Sequence, residues 1–199
     1  MRKGFTLLEL LVVIGVLGIL ATTVVLLINP NEYLNRARDS ERVNDLSSIK
    51  RAVELAATFS ALKGETLDYD GPYIPSSNPE GTDSCVGDGD PRLFVSVPSG
   101  ELPPSGSIWE GFTISQVDEA QLRLVDGSGW VPIDFPSVFA PQAPPLVKLP
   151  VDPVNTFASG YYYSYVCGSF AFSAKMESQK FLEKAAEDGG IKLGYIETG

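Results

Sequence analysis

Hydrophobic and polar positions divide the chain into three zones. From Leu10 to Ile28 nearly every residue is apolar. As a helix this run spans about 28 Å, close to the roughly 30 Å hydrocarbon core of a bilayer, so a membrane-spanning helix is expected. Beyond Pro30 the apolar residues recur every three or four positions, at Leu34, Ala37, Val43, Leu46, Ile49, Val53, Ala56, Phe59 and Leu62. That spacing predicts one apolar face of an amphipathic helix continuing the first, with Gly64 as its stop. The other face carries Arg36, Arg38, Asp39, Glu41, Arg42, Asp45, Lys50, Arg51 and Glu54. These charges are either solvated or meet neighbouring chains. Pro30 removes a backbone donor and disfavours helical geometry at Asn29, which predicts a kink or break there.

The third zone turns irregular. Between Glu65 and Gly106, Asp70-Gly71-Pro72, Asn78-Pro79, Asp88-Gly89-Asp90-Pro91 and Leu102-Pro103-Pro104 read as turns and loops. Trp109, Phe112 and Ile114 alternate as in a strand, and Asp126-Gly127-Ser128-Gly129, flanked by Leu122, Leu124 and Trp130, reads as a hairpin turn. The proline-rich stretch from Pro132 to Pro145 suits only an edge or a connector. Tyr161 to Val166 and Phe170 to Ala174 read as two strands joined through Cys167-Gly168-Ser169. A short helix is expected from about Ser178 to Glu187, and a final strand from Ile191 to Ile196. Together these predict an α+β fold: a long N-terminal helix packed against a small antiparallel sheet.

At the N-terminus, Arg2 and Lys3 precede the apolar run, so the positive-inside bias keeps that end cytoplasmic and sends everything after Ile28 outward. A removable secretory signal has its apolar region before the cut. Here the plausible cut precedes it, so the helix stays with the mature chain. Glu9 stands near the start of this helix, where a buried charge costs on the order of 2.5 to 3.5 kcal/mol and asks for a partner. Two readings are open. Glu9 lies at the headgroup boundary as a helix N-terminal acid, favoured by the macrodipole; or a cut after Gly4 creates an α-amino group on Phe5 for a carboxylate at this depth to meet. Gly15 and Gly18 each lower helix propensity by about 1 kcal/mol and suit close packing of helices in a membrane.

Composition narrows the chemistry. The 199 residues hold one membrane segment and one compact head. No histidine occurs, which excludes Ser-His-Asp and Cys-His catalysis and histidine-ligated metals. The net charge is −10, and losing Arg2 and Lys3 leaves 13 basic against 25 acidic side chains, or −12. General binding to nucleic-acid phosphates is not expected of such a chain. The two cysteines, Cys85 and Cys167, read as a disulfide if the head is extracytoplasmic, with two free thiols as the alternative. The bond would close a loop of roughly 80 residues, worth at most about 4 to 5 kcal/mol. Asp83, Asp88 and Asp90 lack the ligand number and terminal acid of a calcium loop, so no metal site and no cofactor is expected.

Gly4-Phe5-Thr6-Leu7-Leu8-Glu9 resembles the class III signal of type IV pilins and type II secretion pseudopilins. The resemblance implies cleavage between Gly4 and Phe5 by a prepilin peptidase, N-methylation of Phe5, and a homo-oligomeric helical filament. It further implies that Glu9 pairs with the N-terminal amine of a neighbouring subunit, and that the helix between a glycine and Pro30 can lose order on assembly, although family members often carry this proline one turn earlier. Leu149-Pro150-Val151-Asp152-Pro153, followed by tyrosine-rich sequence, is similar to the C-terminal region of some pilins and major pseudopilins. Residues 1–4 are then a leader, 5–28 the membrane and filament-core helix, 29–63 the amphipathic helix and 64–199 the extracytoplasmic head. The chain catalyses nothing on this reading. It sits in the cytoplasmic membrane, meets the pilus or secretion assembly platform, and ends in a surface pilus or a periplasmic pseudopilus. A pseudopilin or minor tip pilin is the alternative, and a membrane-anchored extracytoplasmic binding protein or enzyme is the remote one.

Overall fold

The computed structural model describes residues 5–27, 29–62, 86–87, 90–101, 112–166, 171–187 and 195–198. The apolar run forms α1 (Leu7–Leu27), and α2 (Pro30–Leu62) follows after the break at Asn29. In α1 the hydroxyls of Thr22 and Thr23 donate to the carbonyls of Gly18 and Ile19, at 2.5 and 2.9 Å. The helix thus satisfies its own polar side chains, as a lipid environment demands. None of the window Leu7–Val24 is buried within the chain. Its apolar surface therefore needs a cover from outside.

The head is built on a sheet of six described strands: β1 (Val86–Gly87), β2 (Asp90–Val95), β3 (Thr113–Ser115), β4 (Tyr163–Val166), β5 (Phe172–Lys175) and β6 (Tyr195–Thr198). Their order is β1-β2-β4-β5-β6, with β3 also on β2. Described pairs are antiparallel except β2 with β3, which runs parallel, so the expected antiparallel sheet is in fact mixed. Alternate residues face opposite sides. Phe94, Tyr163, Tyr165, Phe172 and Ala174 join the core that also holds Leu46, Ile49, Val53 and Ala56 of α2. Leu93 and Val95 face the other way and form a smaller cluster with Val97, Phe157 and Tyr162. The seryl hydroxyls of Ser164 and Ser173, cross-strand partners, satisfy each other at 2.6 Å.

Several expectations change. Strand β2 lies inside the segment read as loop. The short run Leu93-Phe94-Val95 is buried on both faces, and such a run has no alternation to separate it from the turn residues around it. The hairpin expected around Asp126–Gly129 is a loop instead. Asp126 accepts hydrogen bonds from the backbone and hydroxyl of Ser128, a side-chain-made turn, and only an isolated bridge joins Asp126 to Asp134. The flanking Trp130, Val131 and Ile133 turn into the core. Gly129 permits this, because a Cβ there would stand 2.1 Å from the carbonyl oxygen of Leu124.

Within the proline-rich connector a short helix forms, α3 (Phe135–Phe139). Asp134 caps it by accepting from the Ser137 amide at 3.0 Å. Its Phe135, Val138 and Phe139 enter the main core. The tail helix is α4 (Gln179–Ala185), shorter than expected, and β6 starts four residues later than the expected final strand.

Candidate functional site

The first candidate site is the opening turn of α1. Glu9 stands in that turn, and both Glu9 and Phe5 are exposed, Phe5 to 79%. One carboxylate oxygen of Glu9, Oε2, accepts from the Thr6 hydroxyl at 2.7 Å and the Thr6 amide at 2.9 Å, and the Glu9 amide donates back to the Thr6 hydroxyl at 3.3 Å. Thr6-Leu7-Leu8-Glu9 is therefore a capping box, in which two otherwise orphaned helix donors are satisfied reciprocally. The carboxylate is held at the helix entrance by its own chain, while Oε1 has no hydrogen bond among the described residues. The cap and a second partner are thus compatible. The helix N-terminal acid expected at Glu9 is thus present, and the Thr-x-x-Glu spacing is the sequence signature of the cap it makes with Thr6.

A second site lies inside the head. On α2 the buried positions are Asp39, Arg42, Leu46, Ile49, Ala52, Val53 and Ala56, one stripe at helical spacing whose first two members are charged. Leu34 and Ala37, expected on the apolar face, are exposed. Asp39 and Arg42, expected on the outer face, are fully buried. The reason is what they meet. Arg42 forks onto both oxygens of Asp152, at 2.6 and 3.0 Å. It also reaches Asp39 at 2.8 Å and Glu177 at 2.6 Å. Its guanidinium carbon lies 4.8 Å from the centre of the Tyr161 ring.

Asp39 in turn accepts from the amides of Glu177 and Ser178 and from the Ser178 hydroxyl, at 2.7 to 3.1 Å. Ser178 is the N-cap residue of α4, and its hydroxyl goes to Asp39 rather than to its own helix. Arg38 closes the rim by pairing with Glu177. These segments of the head carry backbone donors and carboxylates, so an apolar residue at 39 would leave the Glu177 and Ser178 amides without their acceptor, and one at 42 would leave buried Asp152 without a countercharge. Burial alone pulls the Arg42 guanidinium down, but hydrogen bonds and charge from Asp152, Glu177 and Asp39 hold it above the ordinary arginine value.

Elsewhere in the head, Tyr163 donates to Asp45 at 2.9 Å, and burial raises both groups, opposed at Asp45 by that hydrogen bond. The Arg38 hydrogen bond holds Glu177 below the ordinary value of 4.5, with burial opposing. A depressed carboxylate contributes stability that is present above its ordinary value and lost as pH falls through its folded-state value. The native chain in detergent should therefore resist urea better than Glu177→Gln at pH 7, and the gap should close below pH 4.5. A gap constant from neutral to acid pH would contradict this assignment.

Of the other residues singled out by sequence, Pro30 opens α2. Gly4, Cys85, Cys167, Asp83 and Asp88 lie outside the described residues. No group of three or more metal-ligating acids, cysteines or histidines occurs among the described residues.

Residues 1–25 match the family described as the prokaryotic N-terminal methylation motif. That motif is the mark of type IV pilins and pseudopilins. The match covers residues 1–4, the capping box and α1 as far as Val25, and the head lies outside it. No curated protein and no solved structure matches the chain. An apolar helix, a second helix and a small mixed sheet make an α+β arrangement consistent with a pilin-like fold.

Proposed function

We propose that this chain is a structural subunit of a type IV pilus-like filament, cut between Gly4 and Phe5 by a prepilin peptidase, methylated on Phe5 and assembled through α1. One observation carries the reading. The methylation motif leads into an 18-residue apolar window with no part buried in its own chain. Such a surface needs lipid before assembly and sister helices after it. The Glu9 oxygen left free by the capping box suits the Phe5 amine of a neighbour, with Thr6 holding the carboxylate in place. The subunit then waits in the cytoplasmic membrane with its head outside, is taken up by a pilus or secretion assembly platform, and ends on the cell surface.

The motif is shared with pseudopilins. Purified surface fibres analysed by mass spectrometry separate the two. This chain as the main component supports the pilus reading, and its absence from abundant fibres supports a pseudopilin or tip role.

A disulfide between Cys85 and Cys167 belongs to the same proposal. Cys85 directly precedes β1 and Cys167 directly follows β4, and both strands pair with β2, through Val86 on Pro91 and Val166 on Leu93. β1 and β4 flank β2 on opposite sides, so the described neighbours of the two cysteines stand about two strand spacings, roughly 9 to 10 Å, apart, and the bond requires the cysteines to close that gap past the end of the pairing. The mature chain should be two hydrogens lighter by mass than its reduced form, and reduction should lower its stability by up to about 4 to 5 kcal/mol. Two alkylatable thiols in the untreated native chain would contradict the bond.

A further inference from the structure

Head and stalk are joined along a single helix face, and the two ends of that face differ in kind. From Leu46 to Ala56 the contact is apolar. Below it the contact is the charged group of Asp39, Arg42, Asp152 and Glu177, with Arg38 at its rim. N-terminal to Arg38 no residue of α2 is buried, so this group is the last attachment before the helix leaves the head.

Apolar contacts are non-directional, and a helical stripe of Leu, Ile, Val and Ala repeats itself every turn. Sliding the head by one turn of about 5.4 Å would exchange one apolar row for the next. The charged group has no such repeat. The Arg42 fork matches the two Asp152 oxygens in one orientation only, and a slip parts Arg42 from Asp152 and Glu177 and parts Asp39 from the Glu177 and Ser178 donors, leaving only the Arg42–Asp39 pair that lies within the helix.

We propose that Arg42, acting through Asp152 and Glu177, is a positioning residue that sets the orientation and axial register of the head on its stalk. The free end of α2, from Pro30 to Ala37, is a lever of about 12 Å beyond this joint, and α1 follows after the break at Asn29. In the filament reading, slack in the joint shifts the start of α2 relative to the head contacts. The positioning role itself does not depend on that reading, because it belongs to the single chain.

The test uses the full-length chain in detergent micelles with its cysteines untouched. Spin labels are introduced as noncanonical amino acids at Tyr33 on α2 and Val147 on the head, which are 61% and 90% exposed. The distance distribution between them is measured by pulsed electron paramagnetic resonance. The native chain should give one narrow peak. Arg42→Met with Asp152→Asn removes one positive and one negative charge together and keeps an acceptor for the Val154 and Asn155 amides. This double variant should unfold cooperatively in urea yet give a distribution at least twofold wider, or a second peak. An unchanged narrow peak in the folded double variant overturns the proposal. If that variant does not fold, Arg42→Lys decides: it keeps the charge but loses the fork, and it should broaden the peak, whereas a native-like width again overturns the proposal.

Discussion

Replacing Glu9 by leucine should leave the chain inserted in the membrane and abolish or disorder the proposed filaments. Insertion depends on the apolar length of α1, which the substitution lengthens. Assembly depends on the proposed pair between Glu9 and the Phe5 amine of a neighbour. Removing one partner of a desolvated pair typically costs about 3 to 5 kcal/mol, because the other charge is left buried. In a fibre the loss recurs at every subunit. Glu9→Gln separates the two roles of this residue, since the amide oxygen keeps the Thr6 hydrogen bonds of the capping box but not the charge. It should hold the cap and still fail to assemble. Electron microscopy of sheared surface fibres, alongside membrane fractionation, reads both variants; normal fibres from Glu9→Leu would sink the pairing role.

The largest loss of folding stability is expected at Trp130. Its side chain is fully buried, between α2 and the sheet, with ring centres of Tyr163 and Phe172 at 6.2 and 6.5 Å. The indole N–H donates to the Pro150 carbonyl at 2.8 Å, tying the Leu149–Asp152 segment that delivers Asp152 to Arg42. Trp130→Ala therefore opens a large cavity and leaves the Pro150 carbonyl without its donor. Truncations of this kind cost about 3 to 5 kcal/mol, against a total near 5 to 15 kcal/mol for most domains. The urea midpoint of the full-length chain in detergent should drop accordingly. A loss under about 1 kcal/mol would mean that the indole is not part of the packed core.

The long helices were legible because their signals are local. An unbroken apolar run, a period near 3.6 and a proline at position 30 each point to one geometry. The joined strands at Tyr163–Val166 and Phe172–Lys175 were legible for the same reason, through dense aromatic and β-branched residues. Strand β2 was not, because a short strand buried on both faces has no alternation and stands among glycines and prolines.

The buried charges were hidden by a different physics. Nothing local marks Arg42 as interior, since its partners Asp152 and Glu177 lie 110 and 135 positions away and only the fold brings them together. The spacing of 39, 42, 46, 49, 53 and 56 contains the stripe once its first two, charged members are counted with the apolar ones. At Glu9 the charge is the conspicuous signal, while the capping box rests on the three-residue spacing to Thr6. The site is thus part of the helix's own construction as well as the contact proposed for a neighbour.

The central claim is that the chain is processed at its class III signal and works from Phe5 onward. Intact mass and N-terminal peptide analysis of the chain taken from its native membrane or fibres tests it most directly. The account predicts a chain that begins at Phe5 and carries one methyl group on its α-amine. A chain that retains Met1 to Gly4, or one cut after the apolar helix, would contradict it.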